Sequence, residues 1–172
     1  PWYEMNGFWA GEWYGHPSNF EFKEQWMRMR EYFASHVPNA SFVFSPNSTD
    51  IASSFESLHP GVGWTDINSL DVYSKHSKKI FSLLHYVYPD MSPELVFGPD
   101  ITTFQRIDPS TPIMLSELGV LEDREFLIKA VRFAGRAGLK GWMMFEWNKE
   151  GNFGEKNWAI EGDPELLRLV EE

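Results

Sequence analysis

Apolar and aromatic residues gather in five short runs, at residues 1–5, 42–45, 67–73, 112–117 and 141–147. Each has the length and composition of a buried strand. Between the runs, apolar residues recur at helical spacing. Phe22, Trp26, Met29, Phe33 and Val37 fall three or four apart, as one buried helix face requires, and Pro38 ends the pattern. Asp123 is placed to cap a second helix that buries Phe126, Leu127, Ala130 and Phe133, with Gly135 and Gly138 breaking it. Asp163 and Pro164 open a last helix carrying Leu166, Leu167 and Val170. The interval from Lys75 to Thr111 contains Pro89, Pro93, Pro99 and Pro109 and is too long for a single return helix. It divides into a helix around residues 78–88 and a shorter one with Ile101, Phe104 and Ile107 on one side.

Strands that alternate with helices imply parallel pairing through crossover connections, so the class is α/β. A near-continuous apolar strand such as Trp142-Met143-Met144-Phe145 implies a sheet covered on both faces. No repeat, low-complexity segment or Gly/Ser-rich linker divides the 172 residues, which read as one domain or part of one. The chain opens at Pro1 without a charged and apolar leader, so any targeting signal is expected upstream.

Composition then narrows the function. No apolar run approaches the roughly 18 residues of a membrane span, which argues against a membrane partner. A net charge of −10 with scattered Lys and Arg argues against nucleic acid. The chain has no Cys, and His16, His36, His59, His76 and His85 show no short ligand spacing, so neither a metal nor another cofactor is expected. There is no phosphate-binding Gly-rich loop and no Gly-x-Ser-x-Gly elbow. Aromatic residues make up 16% of the chain, including eight Trp. Their flat faces suit sugar rings as well as they suit a core.

Two carboxylates stand at strand ends: Glu4 in Tyr3-Glu4-Met5-Asn6-Gly7 and Glu117 in Pro112-Ile113-Met114-Leu115-Ser116-Glu117. An ionised Glu at the end of a buried strand is costly unless paired or functional, and parallel α/β barrels place catalytic groups at that strand edge. Glu12 and Asp66 read as solvated or capping residues. Trp26, Trp64, Trp142 and Trp158 read as core or loop packing.

The order of these segments resembles glycoside hydrolase family 26. Glu4-Met5-Asn6-Gly7-Phe8-Trp9 is similar to that family's acid/base motif at the end of its fourth barrel strand, and Phe42-Val43-Phe44-Ser45-Pro46-Asn47 to its fifth strand. His59-Pro60-Gly61 and the run from Asp66 to Tyr73 resemble its sixth strand and the loop before it. Residues 111–119 resemble the seventh strand, with the nucleophile, and residues 141–147 the eighth. The resemblance implies a (β/α)8 TIM barrel, present here as an incomplete barrel of strands 4–8 with their helices, residues 1–172 being the C-terminal portion of one catalytic domain. It implies a retaining glycosidase with Glu4 as acid/base and Glu117 as nucleophile. It also implies substrate contacts from Tyr3, Trp9, Trp13, Asp71, Tyr73 and Trp147, with Tyr73 orienting Glu117.

The substrate implied is a β-linked polysaccharide or oligosaccharide, foremost β-1,4-mannan cut by an endo-mannanase, at an extracellular or cell-surface location. Tyr3 stands where the family usually has His, and Asn148 where mannan-active members often carry Arg. Both departures bring a β-1,3-1,4-glucan into competition. A barrel fragment that binds carbohydrate without turning it over is the third reading. The partner at the open sheet edges is then the N-terminal part of the barrel or another chain.

Overall fold

The computed structural model describes residues 5–7, 18–49, 54–73, 92–119 and 124–145, together with Pro164 and Arg168. Its elements follow in the order α1 (Asn19–His36), β1 (Val43–Phe44), β2 (Ile67–Tyr73), α2 (Pro93–Val96), α3 (Gly98–Ile107), β3 (Ile113–Gly119), α4 (Arg124–Arg136) and β4 (Trp142–Met144). The four described strands form one sheet in the order β1-β2-β3-β4, all pairs parallel. Sequential neighbours in a parallel sheet, with α2 and α3 between β2 and β3 and α4 between β3 and β4, are the arrangement of a barrel wall.

The register sorts side chains between two faces, because successive residues of a strand alternate. Phe44, Leu70, Val72, Leu115 and Leu118, each 0% exposed, share one face. Helices cover that face. Trp26 and Phe22 of α1 are buried, and Trp26 meets Phe42 and Phe44 at 6.0 and 5.7 Å between ring centroids. The Trp26 indole donates to the Trp64 carbonyl at 2.9 Å. From α3, Phe104 packs on Phe55 at 4.6 Å and on Phe44 at 6.2 Å. Leu127, Ala130 and Ala134 of α4 are buried, while Phe133 lies against Phe97 at 5.2 Å. Loss of one such buried Phe typically costs about 3–5 kcal/mol.

The other face carries Val43, Ser45, Ser69, Asp71, Tyr73, Glu117 and Met143 by the same register. Val43 is 39% and Met143 52% exposed. This corrects the expectation of a sheet covered on both faces at Trp142-Met143-Met144-Phe145. Among the described residues the helices lie on one side only, so an apolar run was no guide to which side is covered.

Other boundaries moved for local reasons. Ser18 caps α1 in a reciprocal box with Glu21, its N–H donating to the Glu21 carboxylate at 2.8 Å. Val37, expected on the buried face, is the C-cap and 46% exposed. Gly135 lies within α4, and the break falls at Gly138, whose φ of 75° is left-handed. The third strand continues two residues past Glu117, to Gly119. Met5, expected to close the first strand, sits in a turn. The expected helix around residues 78–88 lies outside the described residues, as does the last helix apart from Pro164 and Arg168.

Carboxylates fix the loops that lead into the strands. Asp66, expected to be solvated or capping, instead takes a bidentate guanidinium from Arg30 and the Phe42 N–H at 2.7 Å. Burial works against its ionisation, but these hydrogen bonds outweigh it and hold the carboxyl below its usual range. Asp100, 2% exposed, accepts from Ser48 Oγ and from the Thr49 N–H and hydroxyl at 2.6–3.0 Å, tying the end of β1 to α3. Asp108 is 1% exposed and accepts from Ser110, Thr111 and Gly63, joining the loop before β2 to the start of β3.

Candidate active site

The site begins with an irregularity in strand pairing. β2 and β3 run in step from Asn68↔Ile113 to Leu70↔Leu115, and then Asp71 pairs with Glu117. Ser116 is therefore an extra residue in β3. The pairing with β4 slips over the same stretch, between Leu115↔Trp142 and Leu118↔Met144. A bulge of this kind sends two successive side chains towards one face. Ser116 Oγ reaches Asp71 Oδ1 at 2.5 Å, while Glu117 shares the face of Asp71 by register.

Asp71 is 1% exposed. The Ser45 hydroxyl also donates to its Oδ1, at 3.0 Å, and lies in contact with the Ser116 hydroxyl. Its main chain is held as well, the N–H donating to the Pro46 carbonyl and the C=O accepting from the Ser48 N–H, both at 3.0 Å. Two residues on, Tyr73 donates its phenolic O–H to Glu117 Oε2. The Tyr73 ring rests edge-on against Phe145 at 5.6 Å, which limits its swing. Glu117 and Tyr73 are both half-buried, open enough to meet a ligand, whereas Asp71 is sealed among the serines. A carboxylate oriented by a phenol, with one side open, can act as a nucleophile or as a hydrogen-bond acceptor.

A second junction lies at the end of β1. Asn47 forms an isolated parallel bridge with Asp71, in register with the Val43↔Ile67 pair. Asn6 closes on the same residue: its Nδ2 donates to the Asn47 carbonyl at 2.9 Å and its Oδ1 accepts the Asn47 N–H at 2.8 Å. Asn6 and Asn47 are 4% and 0% exposed.

Of the residues singled out in the sequence, the structure brings together Asp71, Tyr73 and Glu117. Tyr3, Glu4, Trp9, Trp13 and Trp147 lie outside the described residues. Ser45, Ser116, Asn6 and Asn47 were missed as site residues. The available signal was a polar residue inside or just after an apolar strand, as in Phe42-Val43-Phe44-Ser45.

His59 does its work away from this site. Its Nε2 bonds Asn68 Oδ1 at 2.9 Å and its Nδ1 accepts the Gly61 N–H at 3.0 Å, between the rings of Phe44 and Phe104. Burial pushes its proton affinity down. A shallow pocket lined by Arg30, Pro38, Phe42 and Asp66 lies at the N-terminal end of β1, the opposite strand end from Glu117.

The fold resembles several solved glycoside hydrolases. Bacillus subtilis mannanase man26 superposes with a TM-score of 0.57 at 18% identity, over 86% of this chain and 40% of that one. The catalytic domain of the Bacillus sp. JAMB-750 GH26 endo-beta-1,4-mannanase gives 0.56 at 18% identity, over 100% of this chain and 49% of that one. The GH26 domain of a Prevotella bryantii endo-beta-mannanase/endo-beta-glucanase gives 0.55 at 19% identity, over 100% and 48%. The chain thus spans less than half the length of each, and its fold is an incomplete (β/α)8 barrel. Comparison with curated protein sequences gives no match. A sequence profile matches residues 1–90, just over half of the chain, and by that match the chain belongs to glycosyl hydrolase family 26.

Proposed function

We propose that the chain carries the catalytic pair of a retaining β-glycanase, with Glu117 as nucleophile and Glu4 as general acid/base. The observation that carries this reading is the Tyr73–Glu117 hydrogen bond on the Asp71 face at the C-terminal strand ends, where barrel enzymes keep their chemistry. In the first step the Glu117 carboxylate attacks the anomeric carbon, the glycosidic C–O bond breaks, and the Glu4 carboxylic acid gives its proton to the departing oxygen. In the second, the Glu4 carboxylate takes a proton from water, whose oxygen displaces Glu117 from the sugar. Tyr73 orients the attacking carboxylate, and Asp71 braces the strand pair through Ser45 and Ser116. Tyr3, Trp9, Trp13 and Trp147 bind the glycan; Asp71, expected to touch it, is 1% exposed and acts only through the strand pair it braces.

The substrate in this reading is a β-1,4-linked mannan, supported by family membership and by the mannanases of similar fold. Tyr3 and Asn148, which depart from the pattern of mannan-active members, favour a β-1,3-1,4-glucan as the second reading. Residues 1–172 form the C-terminal portion of one catalytic domain in this proposal. Exposed Val43 and Met143 on the site face support a further barrel segment, or another chain, as their cover. A polymeric substrate fits an enzyme working outside the cell or at its surface.

Release of reducing ends from mannan, lichenan and carboxymethylcellulose tests the activity and ranks the glycans. Glu117→Ala abolishes turnover of every substrate, whereas Glu4→Ala spares kcat/KM, which reports the first step, on those whose leaving group needs no proton, and slows the second step for all. Loss of kcat/KM on both kinds of substrate in both variants overturns the assignment of roles. A carboxyl separation of about 5 to 5.5 Å fits retention, and one of about 6.5 to 9.5 Å rejects it.

A further inference from the structure

We propose that Asn6 is a positioning residue for the acid/base carboxylate, acting through its clamp on the main chain of Asn47. The inference rests on the reading of Glu4 given above. One side chain meets both main-chain groups of one residue, accepting the Asn47 N–H and donating to the Asn47 C=O. Two bonds in a closed ring fix direction as well as distance, which a single bond does not. The carboxamide thereby stands in for a neighbouring strand at a point where Met5 to Gly7 form a turn. At 4% exposure Asn6 is withdrawn from any glycan, so its effect passes through the chain.

That chain is short. Glu4 precedes Asn6 by two residues, a span of at most about 7 Å. On its other side Asn47 bridges Asp71, and Asp71 pairs with Glu117. Among the described residues the clamp is thus a link between the acid/base segment and the strand pair bearing the nucleophile, and it helps to set the spacing on which double displacement depends. Asn suits the task by chemistry: Asp has the acceptor but no donor when ionised, and Ser has a single oxygen for both duties.

The test compares Asn6→Ala, Asn6→Asp and Glu4→Ala in the active enzyme, on the natural β-glycan and on an aryl glycoside with a good leaving group. The ratio of kcat/KM on the two substrates is independent of the fraction of enzyme folded, so a destabilised variant still reports. Asn6→Ala is expected to lose up to about 100-fold in kcat/KM on the glycan, with kcat/KM on the aryl glycoside largely spared, because that ratio reports the first step, in which a good leaving group needs no proton. The alkaline limb of its pH profile moves as well. Asn6→Asp recovers glycan activity as the pH falls and its protonated carboxyl can donate to the Asn47 carbonyl. An unchanged ratio of kcat/KM in Asn6→Ala, with Glu4→Ala showing the leaving-group dependence of an acid/base, overturns the role of Asn6 alone. If Glu4→Ala affects kcat/KM on both substrates equally, the reading of Glu4 falls and the inference falls with it.

Discussion

Asp108 offers a prediction whose size follows from the structure. Burial disfavours its charge, but hydrogen bonds from Ser110, Thr111 and Gly63 outweigh that and lower its pKa from 3.8 to about 2. Because the folded value lies below the unfolded one, the stabilisation is complete above the unfolded pKa and is lost as the pH falls through about 2. The full shift corresponds to about 2.4 kcal/mol. The loop it anchors lies near solvent, and screening reduces this to about 1–2 kcal/mol. Asp108→Asn puts an NH2 group where one carboxylate oxygen stood. Each oxygen accepts one main-chain N–H, from Ser110 at 3.1 Å or Gly63 at 3.3 Å, so either amide orientation sets donor against donor. Urea unfolding followed by Trp fluorescence, at about pH 6 and about pH 3, should give a deficit of about 2 kcal/mol for the variant at the higher pH. At the lower pH about half of the wild-type advantage from ionisation is gone, and the gap narrows. An equal deficit at both pH values, or none at the higher one, refutes the reasoning.

Tyr73→Phe removes the donor to Glu117 without changing the ring that packs on Phe145; kcat should fall by about 10- to 100-fold with unfolding unchanged, and a normal kcat counts against the orienting role. His59 resists protonation in the fold, so stability should drop as the pH falls below 6.5, and unfolding curves of His59→Gln should lack that drop. Deleting Ser116 restores regular pairing of β3 with β2 and β4 together and keeps Glu117 opposite Asp71. Unfolding should stay cooperative while glycan turnover falls, and unchanged turnover would mean that the extra residue does nothing for the site. Trp147→Ala should weaken the quenching of Trp fluorescence by soluble β-glycan fragments; normal turnover in that variant sinks its platform role.

What was legible in the sequence is what short-range periodicity encodes. Phe22, Trp26, Met29 and Phe33 do form the inner face of α1, with the first two buried and the others packed against the core. The run 67–73 is β2 to the residue. Val37 and Gly135 departed from expectation because helix ends answer to capping geometry rather than to the apolar repeat. Asp66 departed because its partner, Arg30, lies 36 residues away, and no local pattern announces a partner at that distance. Met143 departed because burial depends on what lies above a strand, whereas composition reports only the strand itself.

The candidate site divides along the same line. Glu117 and Tyr73 could be singled out one at a time, as a carboxylate at a strand end and a Tyr two residues past an Asp. Their meeting was implied by the family resemblance and by no local pattern, because it depends on the extra residue in β3, and a bulge exists only relative to a partner strand. Without it Ser116 would pair with Asp71 and Glu117 with Val72, and one step of register exchanges the two faces of a strand. The carboxylate would then enter the layer of Leu70, Val72 and Phe44, each 0% exposed, where an unpaired charge costs several kcal/mol. The apolar side chains on either side of Glu117 exert the opposite constraint. Leu115 and Leu118 both belong to the helix-facing layer although three positions separate them, an odd spacing that a regular strand cannot satisfy. The pattern Leu-Ser-Glu-Leu therefore needs a bulge between its two leucines, and the residue that absorbs it, Ser116, is the one whose hydroxyl reaches Asp71.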